Sequence, residues 1–210
     1  MAKTYCRPTE PPAAGRKQEA PCLAATEPID GATLRSLLLA GSLTKGTNRT
    51  FGQFVAEEGL WDETLALARD VDARVAFRAS WALESAYTRN SMPLEQRAAV
   101  LLDDFFRTDN NSVQRIYSKL LCDMLRRKAV TLDDEETELL AGRCFDLLTD
   151  DSVPVAVKVW QVDLLSDLGR RIGWIPESLT DLVRRLSENP ECPPAMASRA
   201  RRYLCSLQRK

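Results

Sequence analysis

From residue 60 to its end the chain repeats apolar positions at helical spacing. Leu94, Ala98, Leu101, Leu102 and Phe105 occupy offsets 0, 4, 7, 8 and 11, which places them on one face of a helix. Ile175, Leu179, Leu182, Val183 and Leu186 repeat those offsets, and Leu140, Cys144, Leu147 and Leu148 make a shorter copy. Between these lies a second helix type with offsets 0, 4, 7 and 8. Its copies are Val75-Ala79-Ala82-Leu83, Val113-Tyr117-Leu120-Leu121 and Met196-Ala200-Tyr203-Leu204. A fourth copy, Val155-Val159-Val162, ends on Asp163 where an apolar residue is expected. Upstream, the pattern predicts short helices over 33–39 and 50–55, and a third over 60–68 that pairs with the Val75 helix. Pro93, Pro154, Pro176, Pro193 and Pro194 fall where helices should begin and Pro190 where one should end, as proline sterics require. No segment alternates as a strand would, so the fold class is all-α.

The second-type helices start 38, 42 and 41 residues apart. That period lies in or beside the range of roughly 40–47 residues typical of HEAT and armadillo repeats. The expected architecture is a short, right-handed HEAT-like α-solenoid of about four antiparallel helix pairs with an N-terminal cap. Short connections such as 108–111 and 150–152 suit antiparallel neighbours. Thr131 followed by Asp134 offers a start resembling a capping box. Because a stack buries its faces only between neighbours, its ends need polar caps, a role that suits the basic final helix over 199–210. Residues 1–28 hold five of the eleven prolines without apolar periodicity and read as a disordered leader, which leaves 29–210 as the repeat domain.

The segments LTKGTNR at 43–49, RVAFRASW at 74–81, VAVKV at 155–159 and SRA at 198–200 resemble a group of small HEAT-repeat proteins of Bacteroidetes-type bacteria. The resemblance covers roughly residues 42–205. It implies the repeat architecture, and the group brings no established catalytic residues to carry over.

Composition removes most enzyme classes. The chain has no histidine, which excludes Ser-His-Asp, Cys-His and His-metal sites. The six cysteines are scattered without a CxxC pair, so neither a zinc site nor any other cofactor is expected. Cys122, Cys144 and Cys205 fall on or beside apolar helix faces and read as small buried hydrophobes. No stretch is long and apolar enough for a membrane span, and no h-region of a secretory signal is present. A cytoplasmic, non-enzymatic protein with no membrane contact is the reading that follows. Gly41 to Gly46 lacks the spacing and the preceding strand of a phosphate loop, and Asp133-Asp134-Glu135-Glu136 reads as a helix N-terminal dipole match.

The net charge of −1 conceals a division. First-helix segments carry a net −16, second-helix segments +12 and residues 1–49 a further +3. Eight of the positive residues, including Arg89, Arg126, Arg127, Lys128, Arg170 and Arg171, sit at helix C-termini where they complement the macrodipole, which leaves +4 along the second-helix bodies. There Arg78, Lys158 and Arg199 share offset +3, with Arg115 beside the exceptional Ile116, while Trp81, Lys119, Gln161 and Arg202 share offset +6. Two arrangements remain open. Arg78, Trp81, Arg115, Lys119, Lys158, Arg199 and Arg202 could line a concave groove that binds a partner protein or acidic peptide. Alternatively, the offset +3 cations form a ladder, each bonding an acid or carbonyl of the adjoining repeat. The same cations would suit nucleic acid as an alternative partner. Trp160 and Asp163, three apart, invite comparison at the extreme with HEAT-type alkylpurine DNA glycosylases, which use groove aromatics and a carboxylate.

Overall fold

Short polar side chains and prolines decide where most of the helices start, α3 and α6 being exceptions. A computed structural model describes residues 29–40 and 45–208, and the leader expected over 1–28 lies outside the described residues. Among the described residues there are eleven helices and no strand: α1 (Gly31–Ala40), α2 (Lys45–Glu58), α3 (Trp61–Leu67), α4 (Ala73–Tyr87), α5 (Met92–Glu95), α6 (Ala98–Arg107), α7 (Asn111–Arg126), α8 (Asp134–Thr149), α9 (Val155–Leu168), α10 (Ile175–Glu188) and α11 (Pro194–Leu207). Asp72 caps α4 by accepting from the Arg74 amide, and Asn110 caps α7 by accepting from those of Ser112 and Val113. Proline occupies the first turn of α5, α10 and α11, where its missing N–H costs nothing.

The capping box of α8 is formed by Asp133 and Glu136, not by Thr131 and Asp134. The Asp133 carboxylate accepts from the Glu136 amide at 2.8 Å and the Glu136 carboxylate accepts from the Asp133 amide at 3.0 Å. The helix therefore begins two residues later than the sequence pattern suggested. The face running from Leu94 to Phe105 is split between α5 and α6, with the break at Gln96 and Arg97. Arg97 supports that break, because its guanidinium donates to the Pro93 carbonyl at 2.9 Å and clasps Asp62 of α3 at 2.6 Å. Leu94, Leu101 and Phe105 stay fully buried across it. Helix α7 ends in a Schellman motif, in which Ala129 donates to the Met124 carbonyl at 2.9 Å and Lys128 to that of Leu125 at 3.1 Å. The position that glycine normally fills in this motif is Lys128, at φ +56°.

The helices pair as α3 with α4, α6 with α7, α8 with α9 and α10 with α11. Turns of three to five residues join the members of each pair. The second helices stack in the order α4, α7, α9, α11, so each tier buries its apolar face only against its neighbours. The result is a short α-solenoid. Helix α2 is longer than the expected 50–55 and joins this layer by packing against α4, while α1 packs on α3 and α4. The fit of α2 depends on Gly52, since a β-carbon there would lie 2.9 Å from the Ala86 nitrogen and collide with the Ser85 side chain. Helix α9 meets α7, α8, α10 and α11, which explains its weak periodicity, because a helix packed on several sides has no single apolar stripe. Each fully buried large side chain, such as Phe105, Tyr117 or Leu148, contributes roughly 1.5–3 kcal/mol to this core. No described helix is long and apolar enough to cross a membrane.

Candidate functional site

Three of the six cations singled out in the sequence are held by partners about one repeat away. Arg78 of α4 reaches the last turn of α1, where its guanidinium donates to the Leu38 carbonyl and, at 3.1 Å, to that of Leu39. It thereby caps orphan carbonyls at a helix C-terminus from another helix. Lys119 of α7 bonds Glu84 of α4. Arg199 of α11 bonds Asp163 of α9 and lies over the Trp160 ring, 5.3 Å from its centroid. Ladder geometry is thus present at these three residues. Lys158 departs from it, since its covered side chain approaches Asp151 of its own turn at 4.0 Å. Trp81 is half-buried and stacks on Phe77 with centroids 5.6 Å apart. Arg115, half-buried, shares the Lys119 face of α7, and Arg202 is exposed on α11; neither makes an ion pair among the described residues. The seven positions are therefore distributed along the second helices without converging on one point. Gln161, at the same offset as Lys119, is fully buried and donates to Ser118 of α7 at 2.9 Å.

Two arginines that the sequence placed at a helix end tie three tiers together. Arg126 reaches forward to α9, with its Nε 2.6 Å from Asp167 and Nη2 3.7 Å from Asp163. Arg127 reaches back, donating to the Tyr87 hydroxyl at 3.2 Å and to Ser91 Oγ at 3.1 Å, with Glu95 at 3.4 Å. Its guanidinium sits 5.8 Å from the Tyr87 ring centroid. The Tyr87 hydroxyl donates to Asp123 at 2.8 Å, and burial together with that carboxylate pushes its pKa up. The signal that could have revealed these contacts was the recurrence of opposite charges roughly one repeat apart, at 37 and 41 residues for Arg126 and 32 for Arg127. Asp163 is buried beneath two guanidiniums, which places it in the joint between tiers and away from an open catalytic pocket. No cluster of three metal-ligating side chains occurs among the described residues.

Paired groups on the second-helix layer are unequally exposed. Lys119 is 44% exposed against 14% for Glu84, Arg126 39% against 8% for Asp167, and Arg127 51% against 18% for Glu95. On the first-helix side the order reverses at Arg97 and Asp62, where the carboxylate is the exposed partner. At the three former pairs the second-helix face presents the cation to solvent and keeps its counter-charge beneath, whereas Asp123 is as exposed as Arg127 and Lys158 is covered against an exposed Asp151. Between α4 and α7 the face carries a depression of about 500 Å³, where Lys119, Arg89, Arg126 and Arg127 outnumber the two lining carboxylates, Glu84 and Asp123.

Stacked helix pairs joined by residues one repeat apart define a repeat architecture, and residues 41–206 match the HEAT repeat domain family. The chain belongs to the HEAT repeat family. Comparison with curated proteins and with solved structures gives no match. HEAT repeat folds are in general protein-interaction scaffolds and are typically non-enzymatic. In this HEAT repeat protein Cys122 and Cys144 are buried, which pushes both thiol pKa values up, whereas Cys205, expected beside them as a buried hydrophobe, is exposed near the end of α11.

Proposed function

We propose that this HEAT repeat protein is a non-enzymatic cytoplasmic scaffold whose second-helix face binds an acidic segment of a partner protein. The unequal exposure of its ion pairs carries the reading: cations held in place by buried carboxylates lose little conformational entropy when an acidic chain arrives. The depression between α4 and α7 offers a cation-rich seat on that face. Arg115 and Arg202 extend the field along α7 and α11 without serving the tier joints.

A labelled ten-residue polyglutamate peptide, titrated by fluorescence anisotropy, tests the proposal. It should bind at 50 mM NaCl, and Arg115→Glu with Arg202→Glu should weaken it at least tenfold at an unchanged melting temperature. An oligothymidylate of equal length is the competing ligand. If it binds more tightly than the peptide and loses affinity by orders of magnitude between 50 and 200 mM salt, the face is a nucleic-acid surface and the protein-binding reading fails.

A further inference from the structure

At the edge where second helices end, the C-terminal turns of α7 and α9 enclose a hollow of about 340 Å³. Arg126, Lys128, Arg170 and Arg171 line it, and Asp167 is the one carboxylate among the lining residues. The surplus is three positive charges. The acids nearby do not cancel it from inside the hollow: Asp163 lies beneath Arg126 at 3.7 Å, and Asp134, fully exposed, meets the outer side of Arg171 at 3.6 Å. Asp167 itself is almost fully covered, bonded by Arg126 at 2.6 Å and approached by Arg170 at 3.6 Å. Arg171 is further fixed by its bond to the Leu132 carbonyl at 2.8 Å. Three guanidiniums are thus positioned before any ligand arrives.

Lys128 supplies an independent observation. It occupies the left-handed position of the α7 Schellman motif, at φ +56°, where glycine is free of the penalty that a side chain incurs. It is exposed and makes no ion pair among the described residues; the α7 macrodipole favours its charge and offsets only part of the left-handed penalty. A locally unfavourable residue that adds a cation to an already cation-rich hollow points to a ligand.

We propose that the α7–α9 edge hollow binds a phosphate monoester dianion, with Lys128 as a dedicated ligand and Arg126, Arg170 and Arg171 as preset donors. A dianion with three acceptor oxygens matches three walls of donors better than a carboxylate does. This inference does not rest on the second-helix face reading: the two sites share Arg126, but Lys128, Arg170 and Arg171 lie outside the lining of the α4–α7 depression.

The test is isothermal titration of the full chain with inorganic phosphate, with acetate and with a phosphoserine heptapeptide at pH 7.5. Phosphate should bind at least tenfold more tightly than acetate. A heptapeptide that binds more tightly than inorganic phosphate assigns the site to a phosphorylated side chain; equal or weaker binding assigns it to free phosphate, and either ranking supports the hollow. Lys128→Gly should raise the melting temperature by about 2–4 °C while weakening phosphate at least fivefold, opposite effects that a purely structural lysine cannot produce. Arg170→Ala should weaken phosphate with little change in melting temperature, whereas Arg184→Ala on the remote face of α10 should change neither. Phosphate binding no tighter than acetate, or unchanged within twofold in Lys128→Gly, overturns the proposal.

Discussion

Asp163 is the joint through which the last tier is attached, and Asp163→Asn measures what that joint contributes. The substitution preserves shape and removes the charge on which Arg199 and Arg126 converge. Arg199 loses a charge-assisted hydrogen bond, worth about 1.5–3 kcal/mol where the group left behind is poorly hydrated. Its side chain is 18% exposed, so water recovers only part of that. Arg126 loses a longer ion pair worth about 0.2–1 kcal/mol and keeps Asp167 at 2.6 Å. The expected destabilisation is about 2–3 kcal/mol, or a fall of about 4–12 °C in melting temperature for a domain of this size. In a stack whose neighbours hold one another, the loss should be local, appearing as faster amide exchange in α10 and α11 before α7 responds. Asp163→Leu combined with Arg199→Met should regain more than half of the loss, because a buried pair replaced by apolar groups no longer leaves a charge without its partner. A melting temperature within 1 °C of wild type, with unchanged exchange in α10 and α11, would refute the argument and show the joint to be screened by solvent.

Two further outcomes follow from the packing and the carboxylates. Gly52→Ala should lower the melting temperature even though alanine favours helix by about 1 kcal/mol, because the new β-carbon collides with Ser85 and Ala86 and overpacking costs about 1–3 kcal/mol. A rise in melting temperature would show that α2 can move away from α4. Asp70 has its pKa lowered by its hydrogen bond from Arg35, so its contribution is present above the ordinary aspartate value near 3.9 and is lost as pH falls through the lower folded value. Asp70→Asn should therefore cost about 1 kcal/mol in urea unfolding at pH 7 and progressively less as pH falls below about 3.9; a cost that does not change with pH would remove ionisation as its origin. Asp104 has the opposite sign, since burial raises its pKa despite Arg69, so its protonation offsets part of the acid-induced loss.

Much of the fold was legible because its signals are local. The offsets of Val113, Tyr117, Leu120 and Leu121 require one helical face, and all four are buried in the structure. The prolines marked helix starts because ring sterics act within a single turn. The candidate face was legible in part. Position along the helix placed Gln161 beside Lys119 and Arg202, yet Gln161 is buried because α9 is enclosed by four neighbours. Arg126 and Arg127 read as equivalent helix-end charges, although one turns forward to Asp167 and the other back to Tyr87. A helical register gives a direction around one axis and does not specify which neighbour stands there.

By itself the sequence determined an all-helical repeat, its period, its proline-marked helix starts and the opposite charges of its two helix types, since each depends on residues within a turn or a tier. Only the tertiary structure decided which partner of each ion pair faces water. The partners come from tiers 35 to 41 residues apart, and their exposure depends on how deeply the stacking helices bury one carboxylate beneath one cation. The same stacking places Lys128 among three arginines.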